Sequence, residues 1–252
     1  MTLRAAAFGD VGLGNWGAVF SPGPELPSFA VLGGEQPRTL PVSIAGETTP
    51  GSEWLVSGEG LELALGPAAG EQAAAVGQDG FDQLVSVRGE LPGDGAREVE
   101  LIGSRGLRSA QLELGGFELV RDVRAWFTPG DGLALSAVRP RRAKAHADER
   151  LSATVFEEGE PLAVAEPRIS TTYSEDSLPV RASVELWLPG AEEEGRDEQA
   201  EQAAQYPRRA AGEAAGTGIT QDLGPLRVHA RPFRWRTARR DGSGVYLLAW
   251  AR

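Results

Sequence analysis

Residue types suited to proton transfer are concentrated in one short segment, Val138–Glu149 (VRPRRAKAHADE). In a chain with a formal net charge of −11, this segment is basic first and acidic last. Alternation along a strand would place Lys144, His146 and Asp148 on one face. Such a face could hold an anionic group, or supply a histidine general base oriented by a carboxylate. The alternative is a solvated strand end and turn.

A second group of candidate residues is the run STTYSED, which contains Thr171, Thr172 and Tyr173. Hydroxyl groups that face a cavity could orient the polar head of a ligand, although a polar hairpin would explain the run equally well. From the two groups together we predict four catalytic residues: His146, Asp148, Lys144 and Tyr173.

Metal and cofactor sites are not expected. His229, the other histidine, lies between Val228 and Ala230 and shares its strand face with two arginines, which favours a structural role. Neither His-x-His nor His-Glu-x-x-His occurs, and there is no cysteine. The chain has no Gly-x-Ser-x-Gly and no glycine-rich phosphate loop followed by Lys-Ser or Lys-Thr.

Six tryptophans are present, and their first duty is expected to be core packing. Aromatic rings lining a pocket would also suit a flat, apolar ligand. The predicted ligand-binding residues are Trp16, Trp126, Arg139, Trp187 and Trp235.

Hydrophobic patterning indicates an all-β protein, because period-two alternation marks strands with two different faces. The stretch Val180–Leu188 alternates most strictly. Further predicted strands are Phe81–Leu91, Phe117–Phe127, Leu151–Phe156, Leu226–Trp235 and Val245–Trp250. Pro232 predicts an edge or a bulge in its strand. The stretch 191–204 reads as an acidic insertion, either a loop or a short solvated helix.

Internal similarity indicates two halves. Leu114-Gly115 precedes Trp126 by the same spacing that separates Leu223-Gly224 from Trp235. The residues Val56, Gly60 and Leu63 are echoed, at a fixed offset, by Val155, Gly159 and Leu162. A fixed offset is typical of a duplicated unit. We therefore predict two antiparallel barrel-like halves packed together, at residues 1–125 and 126–252, related by a pseudo-twofold axis.

Composition restricts the partners. A net charge of −11 argues against nucleic acid and against an anionic membrane surface. No apolar run is long enough to span a membrane, and the N-terminal apolar stretch is too short for a secretory signal. The absence of cysteine is compatible with the cytoplasm, which is the expected location. The oligomeric state cannot be deduced.

The motif Gly14-Asn15-Trp16 resembles the Gly-x-Trp of lipocalins and related calycins. In that family the tryptophan caps one end of the barrel under an arginine from a late strand, which Arg234 or Arg236 could supply. Two such halves in tandem resemble the carotenoid hydratase and AttH-like group. The resemblance implies binding of a lipophilic small molecule such as an isoprenoid or polyketide. It also implies cofactor-free acid–base modification by hydration, cyclisation or isomerisation.

Two other function classes remain open. A carbohydrate-active β-sandwich, either hydrolase or binding module, predicts an open groove with several exposed tryptophans and two facing carboxylates. Trp187, on the polar face of its predicted strand, favours that alternative. A structural or interaction protein predicts no pocket and an apolar surface patch.

Overall fold

The computed structural model describes residues 3–10, 12–23, 26–34, 37–68, 73–76, 80–92, 97–108, 116–128, 130–144, 148–189 and 206–252. These residues form nineteen β-strands and contain no α-helix, which confirms the all-β prediction. The acidic stretch 191–204 and the candidate residue His146 lie outside the described residues.

The first nine strands form one sheet. They are β1 (Leu3–Gly9), β2 (Trp16–Ser21), β3 (Phe29–Gly33), β4 (Arg38–Ala45), β5 (Trp54–Gly58), β6 (Leu61–Pro67), β7 (Ala74–Val76), β8 (Gly80–Leu91) and β9 (Arg97–Arg108). The sheet order is β6-β5-β4-β3-β2-β1-β9-β8-β7, and β6 also pairs with β8. This last pairing closes eight antiparallel strands into a barrel, called barrel A below.

The remaining ten strands form a second sheet that curls into a half-barrel, called half-barrel B. They are β10 (Phe117–Thr128), β11 (Asp131–Pro140), β12 (Arg150–Glu157), β13 (Glu160–Ala163), β14 (Glu166–Tyr173), β15 (Pro179–Trp187), β16 (Arg208–Ala214), β17 (Ile219–Leu223), β18 (Leu226–Arg236) and β19 (Asp241–Ala251). The order is β13-β12-β11-β10-β19-β18-β16-β15-β14, with β17 on β18. Two barrel-like halves are thus confirmed.

Barrel A is filled by its own side chains. Alternate residues of β6 point inward, as the burial of Leu61, Leu63 and Leu65 shows, and they pack with the inward aromatic side chains Trp54 and Phe81. A fully buried arginine, Arg105, shares this interior and donates hydrogen bonds to the Gln83 side chain and to backbone carbonyls.

Half-barrel B has two apolar faces, as its alternation requires. Along β19, Val245 and Leu247 face barrel A, whereas Tyr246 and Leu248 face the concave side. The concave face continues onto β15, where Val184 is buried as the sequence pattern predicts. Half-barrel B therefore packs on barrel A with its outer face, whereas the residues of its concave face pack against one another.

The contact between the halves is reciprocal. In the two strand orders, β1 corresponds to β10, because each pairs with the next strand and with the last strand of its sheet. Equally, β9 corresponds to β19. Since β1 packs against β19 and β9 packs against β10, the contacts follow the pattern of a pseudo-twofold relation. Residue 125, the sequence-based boundary, lies within β10.

The fixed-offset echo has a local origin. It pairs the β5–β6 hairpin with the β12–β13 hairpin, and in each the turn glycine has positive φ, 67° at Gly60 and 88° at Gly159. By strand order, however, β12–β13 is the counterpart of β3–β4. The shared residues thus mark the same kind of turn, which requires left-handed backbone, and do not mark equivalent strands.

Candidate functional site

The concave face of half-barrel B opens at one end into a cleft of about 1180 Å³. Its walls are largely apolar, and they continue the buried residues of the concave face towards solvent. The apolar wall residues are Phe127, Leu133, Val155, Phe156, Leu162, Leu186 and Ala210. A cleft of this volume with apolar walls is typical of small-molecule sites.

Ion pairs and one exposed aromatic residue form the rim of the cleft. The Arg208 guanidinium donates to the Glu157 carboxylate with an N–O distance of 2.7 Å, and Arg240 pairs with Asp131. Tyr206, which is 71% exposed, stands at the same rim. Burial of Asp131 opposes its ionisation, but hydrogen bonds from Thr128 and from the Glu158 backbone, with the charge of Arg240, outweigh this and lower its pKa.

Deeper on the same concave face lies a cluster of polar side chains. Arg121 pairs with Glu149 and donates to the Thr171 hydroxyl over 3.4 Å, and the Tyr246 hydroxyl is 2.8 Å from Thr171 Oγ1. Arg121 and Tyr246 are buried. The Nε–H of Arg121 has no hydrogen-bond partner among the residues that the structure describes.

Protonation in this cluster is set by burial and by the arginine. Burial raises the pKa of the Tyr246 phenol above its ordinary value, although the Arg121 charge opposes the rise. Burial lowers the pKa of Arg121, but the neighbouring Tyr246 and Glu149 outweigh this, so its pKa is raised. At neutral pH the cluster therefore presents a neutral phenol beside a guanidinium cation. Such a pair can donate hydrogen bonds to a developing oxyanion.

The cleft and the polar cluster lie at different levels of the concave face. Leu133 of the cleft wall pairs with Ala125 of β10, and Tyr246 pairs with Val123 of the same strand. Arg121 precedes Val123 by two residues and therefore lies still further from the cleft. From Phe127 at the cleft to Val123 beside Tyr246 is about 13 Å of strand.

The described part of the segment 138–149 forms a strand end and a turn, which is the alternative that the sequence left open. Among its described residues, β11 ends at Pro140, the Ala143 amide donates to the Pro140 carbonyl, and β12 begins only at Arg150. The Lys144 amide donates to the Asp148 carboxylate over 2.7 Å, which makes a side-chain-stabilised turn. Lys144 and Asp148 are exposed in this turn and do not lie on the face of a strand.

The structure brings one predicted catalytic residue, Tyr173, and one neighbour of a predicted residue, Glu149, to the polar cluster. Glu149 follows Asp148 and turns inward to Arg121. Tyr173 ends β14, is 41% exposed, and influences the electrostatics of both Arg121 and Tyr246. Of the four predicted catalytic residues, Tyr173 thus lies at the cluster, Lys144 and Asp148 lie in the exposed turn before β12, and His146 is outside the described residues.

The predicted ligand-binding residues fall in several places. Trp16 and Trp126 are buried in the core between the halves, and Trp235 is buried on the concave face. Trp187 is half-buried on the outer face of β15, with the Arg168 guanidinium 5.9 Å from its ring. Arg139 is half-buried and pairs with Glu118 at 3.6 Å. None of these five lines the cleft.

An arginine does cover a tryptophan, but in barrel A. The guanidinium of Arg105, on the last strand of the barrel, lies 4.9 Å from the ring of Trp54. Trp16 instead lies in the core between the halves, and its ring lies against Gly33 of the adjacent strand β3. Arg234 and Arg236 are exposed and line a groove on the outer face of half-barrel B.

Comparison with known proteins gives a likeness of fold. No protein-family model and no curated protein sequence matches the chain. A solved structure of CghA with Sch210972 matches with a TM-score of 0.58 and 9% identity, covering 100% of this chain and 88% of that one. An AttH-like protein from Nitrosomonas europaea matches with a TM-score of 0.57 and 11% identity, over 99% and 92% of the two chains.

Kievitone hydratase from Nectria haematococca also matches, with a TM-score of 0.52 and 10% identity, over 99% of this chain and 88% of that one. The fold is therefore similar to the lipocalin-like folds of these three proteins. This confirms the resemblance predicted from Gly14-Asn15-Trp16 at the level of fold. No helix among the described residues is both long enough and apolar enough to cross a membrane.

Proposed function

We propose that the concave face of half-barrel B binds a lipophilic small molecule. The observation that carries the proposal is the difference between the two halves. Barrel A is closed and filled by its own side chains, whereas half-barrel B ends in an apolar-walled cleft of about 1180 Å³. An apolar wall with a polar rim favours ligands that bury most of their surface and keep one end in water.

A matched pair of substitutions tests the binding proposal. Leu162→Glu places a carboxylate in the cleft wall, so the affinity for a neutral lipophilic fluorophore such as Nile red should fall by about tenfold or more, because a ligand would then desolvate the charge. Leu55→Glu makes the same change at a residue of barrel A that is 51% exposed. Fluorescence titration should find that this control binds like the parent protein. Equal affinities for all three proteins would contradict the proposal.

The identity of the natural ligand requires a separate measurement. Native mass spectrometry of the purified protein, followed by organic extraction, would detect a compound that copurifies with it. A lipophilic compound present in the parent protein and depleted in Leu162→Glu is the expected result. A compound present equally in both would have to bind somewhere else.

We further propose that the bound molecule is modified by acid–base chemistry, by hydration, cyclisation or isomerisation, without a cofactor. The polar cluster supports this proposal, because Arg121 offers an unpartnered Nε–H next to a phenol that burial keeps protonated. In this arrangement Tyr246 would donate a proton or hydrogen bond to a ligand oxygen, and the Arg121 cation would stabilise the resulting charge. Tyr173, which is 41% exposed, would contact the end of the bound molecule that is nearer to solvent. A likeness of fold to kievitone hydratase is consistent with chemistry of this type.

The chemical step is tested with the extracted compound as substrate. Tyr246→Phe should slow its conversion by roughly 10²- to 10⁴-fold, the usual contribution of a general acid or base, while leaving its affinity within a few-fold. The control is Thr49→Val, which removes an exposed hydroxyl group of barrel A away from the cleft and should leave the rate unchanged. Conversion at the parent rate in Tyr246→Phe would remove the phenol from the mechanism and leave a binding protein.

The carbohydrate alternative is less well supported. It predicts several exposed tryptophans in an open groove, yet all six tryptophans are buried or half-buried. Trp187, the residue that favoured it, lies beside Arg168 on the outer face of β15, and its indole N–H is buried.

A further inference from the structure

A groove separate from the cleft lies on the outer face of half-barrel B. Along β18, the residues Leu226, Val228 and Ala230 pack against barrel A, but the same face continues beyond that contact to Arg234 and Arg236. There it lines a groove of about 710 Å³. Other groove residues are Gly12 of the loop between β1 and β2, and Ser170, Thr172, Arg181, Ser183, Glu213, Asp241 and Ser243 of half-barrel B.

The three groove arginines have no partner among the residues that the structure describes. Arg181, Arg234 and Arg236 form no ion pair, hydrogen bond or ring contact with any residue in the described part of the chain. Arginines elsewhere on this sheet behave differently, since Arg168 and Arg209 pair with the carboxylates of Glu166 and Glu185. The guanidinium groups in the groove are therefore available to a ligand.

The local balance of charge favours an anion. Glu213 lies opposite both Arg181 and Arg234 in the register, and Asp241 lies opposite Arg236, so that two carboxylates accompany three guanidinium groups. In a chain with a net charge of −11, a groove with an excess of positive charge is against the general trend.

The loop of barrel A that borders the groove adds no free carboxylate. Its acidic residue, Asp10, is occupied within the loop, because it accepts hydrogen bonds from the backbone amides of Gly14 and Asn15. The hydroxyl groups of Ser170, Thr172 and Ser183 at the groove can donate to an anion.

The spacing of the arginines indicates the size of the anion. Arg181 and Arg234 are two strands apart, about 10 Å between Cα atoms, and Arg234 and Arg236 are about 7 Å apart along one strand. Long arginine side chains at these distances can converge on a single small molecule. Guanidinium groups bind phosphate and carboxylate oxygens by paired, charge-assisted hydrogen bonds.

We propose that this groove binds a small molecule that carries two or more negatively charged oxygen groups, of which a diphosphate is the simplest. The site is separate from the cleft that Leu162 lines, so it is independent of the lipophilic ligand proposed above. Binding here would bridge the two halves, because the groove is bordered by barrel A on one side and by β14–β16 on the other.

Isothermal titration calorimetry with inorganic pyrophosphate, in the absence of divalent metal, tests the proposal on the full chain. One molecule should bind per chain, more weakly as the salt concentration rises. Arg181→Gln and Arg234→Gln should each weaken binding by about tenfold, the effect of losing a charge-assisted contact. The control, Arg88→Gln, removes an equal charge from an exposed pair on barrel A and should change the affinity by less than roughly twofold.

Two results would overturn the proposal. The first is no detectable binding of pyrophosphate at concentrations up to about 5 mM, the range of weak anion sites. The second is equal weakening by Arg88→Gln and Arg234→Gln, which would mean that the anion responds to overall charge and not to the groove. Circular dichroism and thermal unfolding of each variant establish that the exposed substitutions leave the fold intact.

Discussion

His229 shows how a residue without a catalytic environment can still make the protein sensitive to pH. Its ring is buried, with Nδ1 2.8 Å from the Thr220 hydroxyl and Gly218 packed against the ring edge. Burial, with the nearby charges of Arg231 and Arg227, lowers the pKa of His229 from 6.5 to about 4. The histidine is therefore neutral in the folded protein at physiological pH, as a structural role requires.

The consequence for stability has a definite sign. Because the folded-state pKa is lower than the unfolded-state value, the unfolded chain binds the proton first as the pH falls. The shifted pKa of His229 should therefore leave the unfolding free energy unchanged above about pH 7. Between pH 6.5 and pH 4 it should lower the unfolding free energy progressively, by up to about 3 kcal/mol.

Urea denaturation of the parent protein and of His229→Gln, at pH 7.5, 5.5 and 4.5, measures this effect. The difference in unfolding free energy between the two proteins should shift in favour of the variant as the pH falls. His146→Gln is the control for the other histidine. A difference that stays constant with pH would show that His229 ionises normally in the folded state.

At the scale of the element, strands could be predicted from sequence because their burial is local and periodic. The alternation of Val180–Leu188 reappears as β15, where Ala182, Val184 and Leu186 are buried between more exposed neighbours. The position of Pro232 within β18 also has a structural explanation. The proline lies between the segment of β18 that pairs with β17 and the segment that pairs with β16, where a missing N–H costs no hydrogen bond on that side.

The polar cluster could not be predicted in the same way, because its contacts are remote in sequence. Arg121 lies within a predicted strand, but its partners Glu149 and Thr171 are 28 and 50 residues away. The sequence does not distinguish Arg121 from an exposed arginine, because its partners come close only when the sheet curls. Between the two readings of the segment 138–149 the choice is local, since β11 ends at Pro140 and the Asp148 carboxylate accepts a hydrogen bond from the Lys144 amide in the following turn.

At the scale of the whole molecule, the two halves are joined by a buried ionic network. The Asp82 carboxylate of barrel A accepts hydrogen bonds from Arg108 at 2.8 and 2.9 Å, and from the Thr154 hydroxyl of half-barrel B at 2.9 Å. Arg124 of half-barrel B pairs with Asp122 and reaches Asp82 at 3.5 Å. Each charge therefore has an opposite charge, which is the condition for burying it.

Removing the Asp82 carboxylate leaves buried arginines without a negative charge and should weaken the contact between the two halves. Asp82→Ala leaves Arg108 buried without a carboxylate, so we expect a loss of about 3–5 kcal/mol in unfolding free energy, as is usual when one partner of a buried pair is removed. The control, Glu100→Ala, removes one partner of the exposed Arg88 pair and should cost less than about 1 kcal/mol.

Differential scanning calorimetry shows whether the two halves of a variant unfold together or in separate transitions. The parent protein should unfold in one transition, with equal calorimetric and van't Hoff enthalpies, because the halves share an apolar core and the ionic network. In Asp82→Ala the halves should separate into two transitions, since barrel A keeps its own closed sheet and core. A single transition at the parent temperature in this variant would mean that the apolar contact alone couples the halves.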